Sequence, residues 1–330
     1  MPVIARRDLA ALLGTALPAA ALRPHAAGAA DAFPARPIRV VIPYGAGGSI
    51  NGLARMAIES MGRFSPQPFV ADNRPGAAGT LASEHVVRSP ADGYTVIFAT
   101  LGTLLLHRYL YPNLSYDPRS AFAPIGTVAE SPLVLVSSTA LPAKNIAELV
   151  EFSRRQPDAA TYAHTGTGSL PHLMGERLGE LTGVRMLMVP YQLASGMTSD
   201  MIAGRVHMTF ETLLNAQPMM AGGTIRALAV ASPERLPQMP DVPTLAEAGY
   251  PALTTTLWTS FAVAAGTPPA AQEWLASTLD RALRAPETAE SFSRFGVTPK
   301  IMEPDEFRAL LAREDEAWRA TAERVGRTPA

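Results

Sequence analysis

An α/β protein of two lobes is predicted by three observations. Short β-branched runs alternate with helical patterns from residue 37 to 136, the same grammar starts again after about 146, and the C-terminal third is almost wholly helical. In the first series "PIRVVIP", "PFVADN", "YTVIFAT" and "PLVLVSS" read as strands, and "LARMAIESMGRF" and "AGTLASEHVVRS" as helices. In the second, "ATYAHTG", "RMLMVPY", "VHMTFE" and "IRALAVAS" are strand-like, whereas "IAELVEFSRRQ", "PHLMGERLGELTG" and "MTSDMIAGR" are helix-like. The stretch 232–251 is Pro-rich and turn-like, and "LWTSFAVAAG" (257–266) is a returning strand. The last helices have no further strands to cover, so they are expected to pack back on the first lobe. That assigns 31–132 and 255–330 to a discontinuous lobe 1 and 133–254 to lobe 2. Each lobe is expected to be a mainly parallel sheet flanked by helices, with two crossings near 131–143 and 240–257 and a cleft between the lobes.

Bulk composition narrows the function. With 330 residues, 47% of them hydrophobic, the chain can bury a substantial core. Lys+Arg number 28 and Asp+Glu 29, a formal net charge of -1, so nothing in the balance attracts nucleic acid or an anionic membrane. The first 30 residues read as a cleaved signal peptide: Arg6 and Arg7, an uncharged run from Leu9 to Leu22 broken by Pro18, and small residues near Ala29 and Ala30. Sec export is favoured, and the Arg6-Arg7 pair leaves a twin-arginine route open. Removal of Arg6, Arg7, Arg23 and Asp8 takes the formal charge from -1 to -3. There is no cysteine, hence no disulfide, thiolate ligand or cysteine nucleophile.

Two loops carry the chemistry. "PYGAGGSIN" (43–51) leaves a strand through Gly45, Gly47 and Gly48 and opens a helix, a place where free amides and the helix dipole favour an anion. It lacks the G-x-G-x-x-G spacing and the P-loop lysine, so a dinucleotide or nucleoside triphosphate is poorly supported, and a plain tight turn is an equal reading of this loop taken singly. "HTGTGSLPHL" (164–173) repeats the arrangement in the second lobe, where Ser169 also suits an N-cap. One such loop per lobe is what a cleft needs to clamp a small anion from both sides. No G-x-S-x-G, H-E-x-x-H or metal-ligand spacing is present, and His85, His107, His164, His172 and His207 read as surface or satisfied core residues. The mixed charges of 311–324 read as a solvated helix face.

"PIRVVIPYGAGGSINGLAR", "ADNRPGAAGTLASEHVVRSPADGYT", "YAHTGTGSLPHLMGE", "VPY", "DVPTLAEAGYP" and "GTPP", in this order over about 38–320, resemble the extracytoplasmic solute-binding receptors of the tripartite tricarboxylate transporters, the Bug family. The resemblance implies a type II periplasmic binding protein, a Venus flytrap, with no cofactor and no catalysis. It implies a periplasmic monomer that takes a small organic carboxylate on backbone amides of both glycine loops, helped by ordered water, and delivers it to membrane transporter subunits. Carried over residue by residue, it points to Ala46, Gly47 and Gly48, to Thr167, Gly168 and Ser169, and to Gly102 and Thr103 in "ATLGT", which also read as an ordinary strand-to-helix turn. Three positions depart from the family pattern. Asn51 stands where Asp is usual, Gln192-Leu193 where Lys-Gly is frequent, and Glu211 where Asp is frequent. If Glu211 reaches the pocket it favours an amine or a water-bridged polar group and disfavours a second carboxylate; if it only caps a helix it carries no such meaning. Trp258, near a crossing, is a candidate for lining the cleft, and Trp274 and Trp318 for the core. Two other functions stay open at this point: an orphan sensor passing its closed form to a signalling protein, and an exported hydrolase using Ser169 with His172, which lacks an evident orienting acid.

Overall fold

The computed structural model describes residues 33–157 and 159–327. The expected signal peptide and its cleavage site lie outside the described residues. The elements run β1 (Ile38–Ile42), α1 (Ser49–Gly62), β2 (Phe69–Asn73), α2 (Thr80–Val87), β3 (Thr95–Ala99), a π turn at Gly102–Leu106 leading into α3 (His107–Leu110), then α4 (Pro118–Ala121) and β4 (Phe122–Ser138). They continue with α5 (Ile146–Arg155), β5 (Ala160–His164), α6 (Leu170–Thr182), β6 (Met186–Pro190), α7 (Ala194–Ile202), β7 (Met208–Thr212), α8 (Leu213–Ala221) and β8 (Ile225–Val230). The chain closes with β9 (Thr256–Ala264), α9 (Pro269–Arg284), α10 (Pro286–Ser293), β10 (Thr298–Pro299) and α11 (Pro304–Arg327).

Local rules account for most of these. Ile50, Leu53, Ala54, Ala57 and Met61 recur at helical spacing and form the buried face of α1. Asn145 caps α5 by accepting the Glu148 amide at 2.9 Å while Glu148 accepts the Lys144 amide at 2.8 Å, a reciprocal capping pair. Ile38, Val40, Val41 and Ile42 of β1 are fully buried because helices cover both faces of the sheet there.

β4 organises the molecule. Its first part pairs with β9 and β10, and its last part with β7 on one edge and β8 on the other. One half of the fold therefore reads β2-β1-β3-β9-β4 and the other β4-β7-β5-β6, with β4 a 17-residue strand common to both. The change of partner falls at Pro132, opposite Thr256 of β9, and Leu133, opposite Thr212 of β7. The sequence predicts mainly parallel sheets, and among the described strands parallel ladders form within β2-β1-β3 and β6-β5-β7, with one isolated parallel bridge between Val230 and Thr244. The middle is antiparallel because the chain leaves the first half along β4 and comes back beside it along β9. A second departure concerns the C-terminal helix. It packs on α3 as expected but reaches α6 of the other half as well: Arg324 pairs with Glu176 at 2.8 Å, and Arg177 donates to the Ala317 carbonyl at 2.8 Å and lies over the Trp318 ring.

Candidate functional site

The two halves meet around a small cavity of about 40 Å³ lined by Tyr44, Ser49 and Ile50, Thr100 to Gly102, Leu133, Thr165, Ser169 to Pro171, Phe210 to Thr212, Leu257 and Trp258. At about 10–15 Å³ for each water, it holds about three waters or one carboxylate group. Four helical segments begin at its wall: α1 with Ser49 and Ile50, the π turn and α3 with Leu101 and Gly102, α6 with Ser169 and Leu170, and α8 behind Thr212. First-turn amides have no intrahelical acceptor, and the dipole of each helix leaves partial positive charge at that end. α1 starts without any side-chain cap, so its amides stand free. Among the described residues no Lys, Arg or His lines the cavity; the Thr212 hydroxyl is buried with no hydrogen-bond partner, and the buried Thr100 hydroxyl has only the Tyr44 phenol beside it. Such an orphaned polar atom, beside helix starts, describes a place that an oxygen-rich anion completes.

Across the cleft the loops are in contact. Tyr111 of the first half donates to the Thr167 carbonyl of the second at 2.8 Å. A Cβ on Gly166 would come within 3.1 Å of Ala78, and one on Gly168 would enter the space of the Leu110 side chain. Gly168, with φ +90°, is thus held to glycine by both conformation and neighbour.

Of the residues singled out from the sequence, Gly102, Ser169 and Glu211 line the cavity. The others do not. Ala46, Gly47 and Gly48 lie just before the cavity wall, which α1 enters at Ser49, so the first loop contributes the start of its helix rather than its glycines. Asn51, one residue further in, is 4% exposed; its Oδ1 accepts from Arg55 Nε at 3.1 Å and its Nδ2 has no partner. Thr103 is used locally, its hydroxyl bonding Thr100 N at 2.8 Å and Thr100 O at 3.0 Å. The Thr167 carbonyl is taken by Tyr111, and the Gly168 amide by His172 Nδ1 at 3.0 Å, so neither has that group free for a ligand. Gln192 is exposed, with its carbonyl toward Gly45.

The second loop rests on two imidazoles. His164 Nδ1 accepts the Gly166 amide at 3.3 Å, and the His164 and His172 rings stack at 4.0 Å between centroids. Burial, helped by the neighbouring His172, pushes His164 down to about 3, and burial, helped by Arg324, pushes His172 down to about 4, so both are neutral acceptors near pH 7. Ser169 Oγ accepts the His172 backbone amide at 3.4 Å. These are the hydrogen bonds of an N-cap, not of a nucleophile with its base.

Glu211 lies at the end of β7 and is 7% exposed. Its Oε2 accepts from the Thr212 amide at 3.3 Å and Asn215 Nδ2 at 3.2 Å. Burial raises its pKa to about 7 against the pull of these two donors. Sequence reasoning missed Tyr44, Thr100, Thr165 and Thr212, although Tyr44 sits inside the quoted loop; a lone hydroxyl residue at a strand end carries no spacing signal. Trp258 does line the cavity, while Trp318 is buried and Trp274 packs against Phe33 and Phe69.

Comparison with known proteins identifies the family and the fold. A family model described as the tripartite tricarboxylate transporter family receptor matches residues 53–326. Protein BugT of Bordetella pertussis is 31% identical over 298 residues, covering 90% of this chain and 91% of the relative. The Rhodopseudomonas palustris protein MatC with bound malate superposes with a TM-score of 0.82 at 29% identity, over 88% of this chain and 100% of that one. R. palustris Rpa4515 with adipate gives a TM-score of 0.84 at 32% identity, over 89% and 98%. A sheet shared by two halves, a cavity walled by helix starts from both, and a family match over most of the length lead to one conclusion: the chain belongs to the receptor family of the tripartite tricarboxylate transporters and has its two-lobed periplasmic binding-protein fold.

Proposed function

We propose that this chain is a periplasmic receptor that closes its two lobes, 31–132 with 255–330 and 133–254, on a small organic carboxylate and presents it to its membrane transporter. The observation that carries the reading is the convergence of the α1 and α6 helix starts, one from each lobe, on a cavity without a basic side chain. A carboxylate bridging them stabilises the closed arrangement by contacts that the open one lacks. Hydrogen bonds to a charged group contribute about 1.5–3 kcal/mol each, so four of them suit a micromolar ligand after ordering costs. The Ser49, Ile50, Gly102 and Leu170 amides and the Ser169 hydroxyl, whose own amide already donates to the Gly166 carbonyl at 3.1 Å, are the proposed carboxylate contacts, with the Thr100 and Thr212 hydroxyls beside them. The relatives' adipate and malate supply the first probes. The neighbours are binding proteins, and the Ser169 hydrogen bonds favour binding over hydrolysis. Among the described residues no helix is long and apolar enough to cross a membrane, in keeping with a receptor carried to the periplasm by a cleaved signal.

The test is a thermal-shift and calorimetric screen of residues 31–330 against organic carboxylates and their methyl esters and amides. A ligand specific for the folded protein raises the melting temperature by mass action. Acids that bind while their esters and amides do not are the expected result; equal binding of the neutral derivatives would refute the anion site. Loss of uptake of the same acid on deletion of the gene tests delivery to the transporter.

A further inference from the structure

Glu211 is the one ionisable acid in the cavity wall, and its surroundings are unbalanced. Both of its donors reach the same oxygen, Oε2, at 3.2–3.3 Å, and among the described residues no hydrogen bond reaches Oε1. No cation faces it. The groups packed around it are the Phe210 and Thr212 backbone on β7, Val134 opposite it on β4, Asn215 on α8 and Tyr162 on β5. The Tyr162 hydroxyl is itself committed, accepting the Phe210 amide at 3.0 Å and donating to the Pro171 carbonyl at 2.5 Å. Tyr44, the remaining titratable group of the wall, is a neutral phenol whose pKa burial raises further. A ligand held by the helix starts therefore shares about 40 Å³ with a buried carboxyl that has one oxygen uncommitted and no counter-charge.

We propose that Glu211 is the specificity-determining residue of the site, selecting carboxylates that also carry an ammonium group and discriminating against those that carry a second carboxylate. This rests on the reading of the cavity as a carboxylate site. An ammonium supplies both missing elements, a donor to Oε1 and a positive charge in a region of low dielectric. A second carboxylate supplies neither and places like charges together unless one of them takes a proton. The carboxyl of Glu211, raised to about 7 by burial, takes that proton on mild acidification, so diacids should gain affinity as the pH falls from 8 to 6, whereas amino acids should not.

The experiment is calorimetry on three matched series: propanoate, butanoate and hexanoate, their ω-amino derivatives, and the diacids of the same lengths, at pH 8 and pH 6, with the wild type and Glu211→Gln. The expected result at pH 8 is at least tenfold tighter binding of the best amino acid than of its diacid. Glu211→Gln should reduce that ratio to within about threefold and abolish the diacids' gain on acidification. Diacids that bind the wild type as tightly as amino acids at pH 8, or a preference that survives in Glu211→Gln, would overturn the selection while leaving the carboxylate reading intact. If no acid of any series binds, the carboxylate reading falls and this inference with it. The pH dependence of the wild type keeps the test decisive should the variant fail to fold.

Discussion

Gly168→Ala separates the closing of the lobes from the stability of each. At φ +90° an L residue is strained whether the cleft is open or shut, at about 1–2 kcal/mol, and for a chain of this size that lowers Tm by about 2–3 °C. The added Cβ does something else: it enters the space of the Leu110 side chain, which belongs to the other half, so this collision arises only when the halves meet. Overpacking of this kind costs about 1–3 kcal/mol, and at about 1.4 kcal/mol for each factor of ten the ligand should bind about 5- to 150-fold more weakly. Calorimetry with the ligand from the screen measures the affinity, and a thermal melt without ligand measures the strain. The companion variant Leu110→Ala gives the methyl group room. In the double variant the affinity should return to within about threefold of the wild type, while Tm falls further because a buried leucine has been lost. A weakened affinity that Leu110→Ala does not restore, or a Gly168→Ala affinity equal to that of the wild type, would show that the two halves do not meet at this point when the ligand is bound.

Three further outcomes follow from the site. His164 and His172 are held below 6.5 when folded, so from about pH 6.5 down to about pH 3 the unfolded chain takes up protons that the folded one refuses, and stability falls as pH is lowered through that window; His164→Asn should reduce the stability lost between pH 7.5 and pH 5 in urea titrations, and an unchanged loss would refute the burial of this ring. Asn51→Asp keeps the acceptor for Arg55, removes the unpartnered Nδ2 and places a negative charge in the first turn of α1, and should raise Tm by about 2 °C in a thermal melt; a fall would show that the charge is not compensated there. Trp258 lines the cavity and is 2% exposed, so ligand binding should shift tryptophan emission, and Trp258→Phe should remove the shift while Trp274→Phe leaves it.

Much of the fold was legible because period-2 and period-3.6 patterns are local. "YTVIFAT" became β3, "PHLMGERLGELTG" became α6, and the Pro-rich stretch 232–251 runs as turns and bends, with an isolated bridge at Thr244, up to the short 3-10 turn that opens at Pro251. β4 was half legible: "PLVLVSS" was read as a strand, but "FAPIGTVAES" before it carries a proline and a glycine that suggest a turn, and only pairing with β9 extends it. The short α3 and α4 and the two-residue β10 leave no periodic trace, and α8 contains Pro218. At the site, the glycines marked two loops that flank the cavity, while the cavity wall begins at Ser49 in the first and at Ser169 in the second. Which atoms face the cavity was not legible, because it depends on two imidazoles that occupy the second loop's amides and on where α1 begins.

Pro132 gives the molecule a mechanical character. It sits within a ribbon of 17 residues, roughly 55 Å at about 3.3 Å per residue, that shifts register near Pro124–Ala129 and again at Leu135–Val136, and it marks the step where the neighbouring strand changes. Proline brings no amide hydrogen, so the ladder is one donor short at the step where the partners change, and bending costs less there. The proposed closing of the lobes would therefore work as a flexure, as in a leaf spring, and not as a free joint: opening would have to twist a strand common to both halves.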